Sequence, residues 1–258
     1  MAARLLGYRM VCTVPDKVPK EKQALLKAFG AELIVCPTSV EADDPRSYYK
    51  QAERLRDEEG AYLPYQYYNQ ANPTAHTTTT GPEIWRDTDG KITHFVAGLG
   101  TGGTISGTGR ALHEASRAEG KEVKVVAVDT VGSVYQHYFQ TGEMPPADQI
   151  HQYLIDGIGE DLLPKTVWWD EVDDVVKCSD EDAYLMQVRL AREEAIFTGS
   201  SGGAAVAAAV EVAKDLSEDD LVVTLLPDSG ERYLSKFNEA WLEANGLTKA
   251  LAYLRGGA

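Results

Sequence analysis

The stretch that decides the fold is ITHFVAGLGTGGTISGTGR, residues 92–110. Its first part, residues 92–98, is a short apolar run with β-branched and aromatic side chains, which predicts a buried strand. The run leads into a turn that contains four glycines, Gly98, Gly100, Gly102 and Gly103. Glycine reaches the left-handed backbone conformations that tight turns need, and the residues after the turn predict a helix to about residue 118.

The glycine turn has the composition of a phosphate-binding loop. Successive N–H groups in such a turn can converge on one anion, and the following helix adds its unpaired N–H groups and its dipole. Thr101 and Thr104 add hydroxyl donors. Residues 100–104 therefore predict a site that holds a phosphate group without lysine or arginine.

Two kinds of phosphate fit this turn. The residues GLGTGG formally satisfy the GxGxxG pattern of dinucleotide-binding folds, and Asp129 ends the next predicted strand, where those folds place an acidic residue. The threonines favour instead a terminal phosphate monoester, because its dianion rewards additional hydroxyl donors. The turn by itself leaves both interpretations open.

The remainder of the chain alternates predicted strands and helices. Strands are expected at 9–15, 31–36, 62–67, 123–129 and 221–226, and helices at 19–29, 45–59, 73–87, 180–195 and 204–215. Strands that are apolar on both faces and separated by helices indicate an α/β fold with a mostly parallel sheet. Residues 130–165 are rich in glycine, proline and aromatic residues and are expected to form mainly loops.

Composition and charge exclude several classes of protein. A hydrophobic content of 43% and a charged content of 25% in 258 residues indicate one large or two modest globular domains. No apolar run approaches the about 20 residues of a membrane span. A net charge of −15 argues against a nucleic-acid partner. The three cysteines and five histidines lack the spacing of a disulfide framework or a metal site.

Further turns of small residues are candidates for the same site. GSSGG at 199–203 leads into an alanine-rich helix, and PDSG at 227–230 ends the last predicted strand. Gly157 and Gly159 lie in the loop-rich region as a candidate lid. Ligands of parallel α/β sheets bind at the carboxyl ends of the strands, so these turns are expected to lie together.

Five segments together resemble a known family. They are YQYYNQANPTAH (65–76), the stretch from Thr79 to Arg110, GIGEDLLP (157–164), LAREEAIFTGSSGGAAVA (190–207) and LLPDSGERYLSKF (225–237). They resemble the fold-type II pyridoxal-phosphate enzymes, and among these the cystathionine β-synthase and cysteine synthase family. The resemblance covers nearly the whole chain and displaces the dinucleotide interpretation. It implies a tryptophan-synthase-β-like fold with a remnant of the smaller domain at 1–68 and the larger cofactor-binding domain at 69–258.

The resemblance also implies roles for the site residues. The phosphate of pyridoxal phosphate would be held by Gly100, Thr101, Gly102, Gly103 and Thr104. Ser201 matches the serine that hydrogen-bonds the pyridine nitrogen, and a serine does not enforce a protonated ring, which suits β-elimination and replacement. Gln66 and Tyr67 match a pair that faces the substrate, and Gly157 and Gly159 match a loop that closes over the bound amino acid.

Two family segments have no counterpart in this sequence. The cofactor-linking lysine of the family lies in a segment resembling PGGSxKDR, and the substrate carboxylate is held by a loop resembling TSGNTG; neither occurs here. Residues 2–6 look like the last turns of a helix that ends at Gly7, and a helix that short does not sustain itself. The resemblance therefore implies an N-terminally truncated chain without a catalytic lysine.

The implied activity is β-replacement in sulfur amino-acid metabolism on small amino-acid substrates. Residues 236–247 favour cystathionine β-synthase, which joins serine and homocysteine. The alternatives are a cysteine synthase, which uses O-acetylserine and sulfide, and a non-catalytic cofactor-binding remnant. The chain alone is expected to be inactive. The full-length protein is expected to be a cytoplasmic homodimer without metal, nucleic-acid or membrane partners.

Overall fold

The computed structural model describes residues 1–41 and 43–256, and its contacts form two compact units. The first unit comprises Met1–Pro64 and Glu231–Trp241, and the second comprises Tyr65–Gly230 and the chain from Leu242 onward. The domain division at residue 68 inferred from the family resemblance stays a prediction.

The first unit is a small α/β arrangement around a two-stranded parallel sheet. Its elements are α1 (Ala2–Leu5), β1 (Val11–Pro15), α2 (Lys20–Ala28), β2 (Glu32–Cys36) and α3 (Tyr48–Glu59). Helix α3 begins where the Ser47 side chain accepts a hydrogen bond from the Lys50 amide, and it ends at Gly60 in the left-handed conformation.

The segment Glu231–Trp241 is tied to α2 within this first unit. The two carboxylate oxygens of Glu21 accept hydrogen bonds from the amide and hydroxyl of Ser235, at 2.8 and 2.9 Å. Lys22 Nζ donates to the Tyr233 hydroxyl at 2.9 Å. The unit is therefore assembled from two parts of the chain that are distant in sequence.

The second unit contains a four-stranded parallel sheet. The strands β3 (His94–Gly98), β4 (Lys124–Thr130), β5 (Asp174–Cys178) and β6 (Val222–Thr224) are ordered β5-β4-β3-β6. All three pairings are parallel. The predicted α/β class with a mostly parallel sheet is confirmed, and three of its strands were expected from the sequence.

Helices α6 (Gly103–Ala118), α7 (Tyr135–Thr141) and α9 (Ser200–Ala213) contact this sheet, and the interior of the second unit is apolar. Its other helices are α4 (Ala71–Thr78), α5 (Thr80–Asp87), α8 (Asp180–Glu193) and α11 (Thr248–Leu254), and α10 (Glu239–Ala244) spans the point in the chain where the first unit's segment ends. Phe95, Leu99, Ile105 and Leu112 are fully buried in one core cluster beside β3 and α6. Among the described residues, no helix has the length and apolarity to cross a membrane.

Two predicted elements are wrong in detail. Residues 62–67 form no strand; Tyr65 has a φ of +54°, and its carbonyl accepts hydrogen bonds from the amides of Tyr68 and Asn69, so the chain turns there. The helix expected at 73–87 is divided at Thr79, where φ is −127° and ψ is −75°. The Thr79 hydroxyl donates to the Ala75 carbonyl, a bond that competes with regular helix geometry.

Other elements were not predicted from the sequence, or were predicted with different bounds. Strand β5 is a five-residue strand with the sequence DVVKC, so its apolar stretch is too short to stand out. Helix α7 lies in the region expected to be mainly loop, and α9 begins at Ser200 instead of residue 204. A Cβ on Gly202 or Gly203 would collide with Thr198 or with the Ala183 carbonyl, so the glycines allow α9 to start against its neighbours.

Candidate functional site

The glycine turn joins β3 to α6 at the carboxyl end of the sheet. Gly102 is the N-cap of α6 and has a φ of +86°, which favours glycine. A Cβ at this position would collide with the Val167 side chain, and one on Gly103 would collide with the Asn72 side chain. The turn is therefore enclosed closely by its neighbours and has no room for side chains at these two positions.

Some backbone N–H groups of the turn have no hydrogen-bond acceptor in the described part of the chain. Within residues 1–41 and 43–256, the N–H groups of Thr101 and Gly102 donate to no acceptor. The carbonyls on the other side of these peptide units are occupied, since Tyr135 Oη donates to Gly100 O and Thr166 Oγ1 donates to Thr101 O, each at 2.6 Å. Buried backbone donors are normally paired, so unpaired amides at a helix start are suited to an anionic ligand.

The two threonines of the turn are held by side chains from α4. Asn72 Nδ2 donates to Thr101 Oγ1 at 3.0 Å, and His76 Nε2 lies 3.2 Å from Thr104 Oγ1. His76 Nδ1 lies 2.9 Å from the Thr80 hydroxyl. Burial lowers the pKa of His76, which favours the neutral imidazole. The helix α4 therefore orients the turn's hydroxyl groups without adding a cation.

Ser201 and the candidate lid lie next to the turn. A Cβ built on Gly157 would lie 3.9 Å from Ser201 Oγ, and one built on Gly100 would lie 2.5 Å from the Gly157 carbonyl oxygen. Ser201 is buried in the first turn of α9, and its hydroxyl makes no hydrogen bond to any described residue. The structure thus brings Gly100, Gly157 and Ser201 into one neighbourhood.

The candidate lid is anchored on both sides of its glycines. Gly157 and Gly159 have φ values of +92° and +76°, and the Gly159 amide donates to Leu99 O at 2.8 Å. Just before the lid, the Asp156 amide donates to Ser200 Oγ at 3.0 Å. These bonds attach the loop to the end of β3 and to the start of α9.

The predicted substrate-facing pair lies in the turn before α4. Tyr67 Oη donates to Glu160 Oε1 at 2.9 Å, which joins this turn to the residue that follows the candidate lid. The carbonyls of Gln66 and Tyr67 face the Thr166 hydroxyl, at 3.4 and 3.2 Å. Gln66 is an exposed residue. All site residues expected from the sequence therefore belong to the second unit.

Several contacting residues were not expected from the sequence. Asn72 and His76 stand inside the segment 65–76, but nothing in the pattern distinguished them as contacts of the glycine turn. Tyr135 and Thr166 each donate one hydroxyl hydrogen bond to the turn, and no sequence pattern around either residue indicates this contact. Glu160 follows the GIG triplet, and its contact with Tyr67 depends on the fold.

Asp129 does not serve the role that a dinucleotide site would require. It is fully buried, and its Oδ2 accepts a hydrogen bond from the Gln136 amide at 3.0 Å in the first turn of α7. Burial raises the pKa of this carboxyl group. A ribose-binding carboxylate has to reach its ligand, whereas Asp129 supports α7 from inside.

The pyridoxal-phosphate dependent enzyme family matches residues 1–228 of this sequence. The chain belongs to this family. The resemblance inferred from the sequence segments and the cofactor that it implies are thereby confirmed.

Two relatives illustrate the position of this pyridoxal-phosphate enzyme within its family. A cystathionine beta-synthase of Apis mellifera is 37% identical over 251 residues, which cover 95% of this chain and 47% of the relative. A cysteine synthase of Staphylococcus aureus (strain Mu50 / ATCC 700699) is 39% identical over 230 residues, covering 89% of this chain and 69% of that protein. The chain thus spans about half the length of the first relative.

The residues of the site fit pyridoxal phosphate. The unpaired amides of Thr101 and Gly102 at the start of α6 match a phosphate monoester, and the unpaired hydroxyl of Ser201 matches a ring nitrogen. No described group of three or more His, Cys, Asp or Glu residues is arranged to hold a metal ion. The individual roles inferred for these residues stay predictions.

Proposed function

We propose that this chain provides the cofactor-binding part of an enzyme that replaces the β-substituent of a small amino acid by a sulfur nucleophile. The observation that carries the proposal is the juxtaposition of the unpaired turn amides, Gly157 and the unpaired hydroxyl of Ser201. Family membership and the two relatives support the same reaction class.

The phosphate is bound by Gly100–Thr104. The amides of Thr101 and Gly102 and the dipole of α6 provide positive electrostatic potential, and the hydroxyls of Thr101 and Thr104 add donors. Among the described residues no lysine or arginine contacts the turn, and burial lowers the pKa of the nearby His76, which favours its neutral form. Hydrogen bonds to a charged group contribute about 1.5–3 kcal/mol each, so a few well-oriented donors suffice.

Ser201 orients the ring and controls the charge at its nitrogen. The hydroxyl can donate a hydrogen bond to an unprotonated nitrogen, whereas a carboxylate at the same place would demand a protonated one. When bound, pyridoxal phosphate supplies the electron sink that weakens bonds at the α-carbon of the amino acid. A neutral partner at the nitrogen keeps this sink weak, which favours loss and replacement of the β-substituent over transamination.

The Gly157–Gly159 loop closes the substrate side. Its glycines adopt left-handed conformations, and Ile158 between them is buried while Gly157 itself is exposed. A loop attached at Gly159 and Asp156 but exposed at Gly157 can adjust around a bound amino acid and exclude water from it.

Glu160 favours the cystathionine β-synthase reaction over that of cysteine synthase. Its carboxylate is held beside the substrate-facing Tyr67 at 2.9 Å. A carboxylate attracts the ammonium group of an amino-acid thiol such as homocysteine and repels the hydrosulfide anion. The 39% identity to a cysteine synthase keeps O-acetylserine and sulfide as the second candidate. A non-catalytic cofactor-binding protein is the third.

The cofactor site is tested by calorimetric binding of pyridoxine 5′-phosphate and pyridoxine. These probes lack the aldehyde, so they do not react with surface lysines, and their affinity ratio reports the phosphate contribution alone. We expect the phosphorylated probe to bind at least about a hundredfold more tightly, since two hydrogen bonds to a charged group suffice for that ratio. Equal affinity for the two probes would contradict the assignment.

The role of Ser201 is tested with two variants. Ser201→Ala should weaken the binding of both probes equally. Ser116 is a buried serine that donates to the His113 carbonyl, and Ser116→Ala should change the affinity for neither probe.

The reaction is tested on the gene product purified from its native source. It is supplied with pyridoxal phosphate and either serine with homocysteine or O-acetylserine with sulfide, and products are identified by mass spectrometry. Cystathionine supports the first assignment, cysteine alone supports the second, and cofactor binding without either product supports the third. Glu160→Gln should raise the KM for homocysteine and lower the KM for sulfide, because it removes the charge that attracts the ammonium group and repels the hydrosulfide anion.

A further inference from the structure

We propose that the buried hydroxyl groups of Tyr135 and Thr166 are positioning groups that turn the amides of the glycine turn toward the cofactor phosphate. The inference rests on the proposed function, because it concerns how the same site is kept in its binding conformation. It assigns a role to two residues that lie outside the glycine motif.

The two hydroxyls hold two consecutive carbonyl groups. Tyr135 Oη donates to Gly100 O and Thr166 Oγ1 donates to Thr101 O, each at 2.6 Å. Both side chains are 0% exposed, so water does not compete for these carbonyls. The Thr166 hydroxyl has a single hydrogen, and its contacts with the carbonyls of Gln66 and Tyr67 are longer.

Fixing each carbonyl also fixes the next amide. In a trans peptide unit, the C=O of one residue and the N–H of the next point in opposite directions. Tyr135 therefore directs the Thr101 N–H away from itself, and Thr166 does the same for the Gly102 N–H. Both of these amides donate to no acceptor in the described part of the chain.

The turn needs these two hydrogen bonds because glycine has little backbone preference of its own. Gly100 and Gly102 flank the two peptide units, and glycine adopts positive and negative φ with similar ease. A flipped peptide unit would present a carbonyl oxygen, with its partial negative charge, to the phosphate. The two hydroxyls stabilise the orientation in which the donors face the ligand.

The two positioning groups come from different elements. Tyr135 is the first residue of α7, whose next amide, that of Gln136, is held by Asp129 at 3.0 Å. Thr166 lies in the loop after Pro164, and the adjacent Val167 occupies the space beside Gly102. Phosphate affinity is thereby set by α7 and by this loop as well as by the glycine motif.

The experiment measures binding of pyridoxine 5′-phosphate and pyridoxine to the 258-residue chain by calorimetry. Tyr135→Phe and Thr166→Val each remove one hydroxyl, and each is expected to lower the affinity for the phosphorylated probe about tenfold, the effect of one misdirected charged hydrogen bond. The affinity for pyridoxine should stay within about twofold. Thr166→Ser keeps the hydroxyl and should retain the wild-type ratio.

The matched control is Tyr184→Phe. Tyr184 is also fully buried, and its hydroxyl donates to the Leu154 carbonyl at 3.0 Å, outside the glycine turn. This variant should lose a comparable amount of thermal stability and keep the wild-type ratio of the two affinities. A ratio that drops equally in Tyr184→Phe would show that loss of stability alone explains the effect, and would overturn the positioning role.

The remaining outcomes separate this inference from the proposed function. A wild-type chain that binds both probes equally would overturn the phosphate site, and the positioning role with it. A wild-type phosphate preference that persists in both Tyr135→Phe and Thr166→Val would overturn the positioning role alone. If Tyr135→Phe does not fold, the comparison of Thr166→Val with Thr166→Ser decides.

Discussion

Gly102 and Gly120 form a matched pair that tests the tight enclosure of the glycine turn. Both have positive φ, +86° and +69°, at opposite ends of α6. A Cβ on Gly102 would collide with Val167, whereas a Cβ on Gly120 would meet nothing within 4 Å. Alanine at either position adds the same backbone strain, and at Gly102 it adds a steric collision as well.

The expected difference follows from these two contributions. Left-handed φ costs a non-glycine residue about 1–2 kcal/mol, and this cost is common to both variants. Overpacking against a buried neighbour costs about 1–3 kcal/mol more, and it applies only at Gly102. At about 2–4 °C per kcal/mol in a domain of this size, Gly102→Ala should unfold roughly 2–12 °C below Gly120→Ala.

The assay combines thermal unfolding with binding of pyridoxine 5′-phosphate. Gly120→Ala should keep the wild-type affinity, and Gly102→Ala should lose phosphate binding, because the displaced Val167 segment also carries Thr166. Equal melting temperatures for the two variants, or wild-type phosphate affinity in Gly102→Ala, would refute the description of the turn as closely enclosed and phosphate-binding.

Three further predictions concern charge, reactivity and turnover. Burial raises the pKa of Asp129, so the folded chain should lose stability as the pH rises from about 4, the usual Asp value, through the raised pKa. In urea titrations from pH 4 to 7, Asp129→Asn should remove this loss, and a wild-type slope in the variant would contradict it. Burial, with Asp182 and Asp180 nearby, raises the pKa of Cys178 to about 12, so iodoacetamide at pH 8 should leave it unmodified in the native chain, and rapid labelling would contradict its burial. Because the sequence contains neither family segment for the lysine and the substrate carboxylate, the 258 residues expressed alone should yield no cystathionine or cysteine, which product analysis by mass spectrometry checks.

The parts of the fold that are encoded locally could be predicted from the sequence. Residues 92–98 are apolar and β-branched and lead directly into glycines, and β3 and the turn are found where this pattern places them. The same reasoning failed at 62–67, where aromatic residues suggested a strand but Tyr65 adopts a positive φ. Aromatic residues are frequent in strands because they pack well on half-buried surfaces, so their presence alone does not identify a strand.

The supporting contacts of the site could not be predicted from the sequence. Tyr135 lies 35 residues from Gly100, and Thr166 lies 65 residues from Thr101. Only the folded chain brings these hydroxyls to the turn, and a single tyrosine or threonine in a loop-rich region has no pattern that marks it. A glycine turn can be recognised in a sequence because its glycines lie close together. The residues that orient its peptide units lie far apart in the sequence and form no pattern.

The two-part construction of the first unit affects the order in which a ribosome completes it. Residues up to Pro64 emerge early, but Tyr233 and Ser235, which bind Lys22 and Glu21, emerge much later. At about 5–20 residues per second, roughly 10–35 s of synthesis separate Pro64 from Trp241. During that interval β1 and β2 lack the segment Glu231–Trp241, so the first unit, although its residues are mostly synthesised first, cannot be completed until most of the second unit has been synthesised.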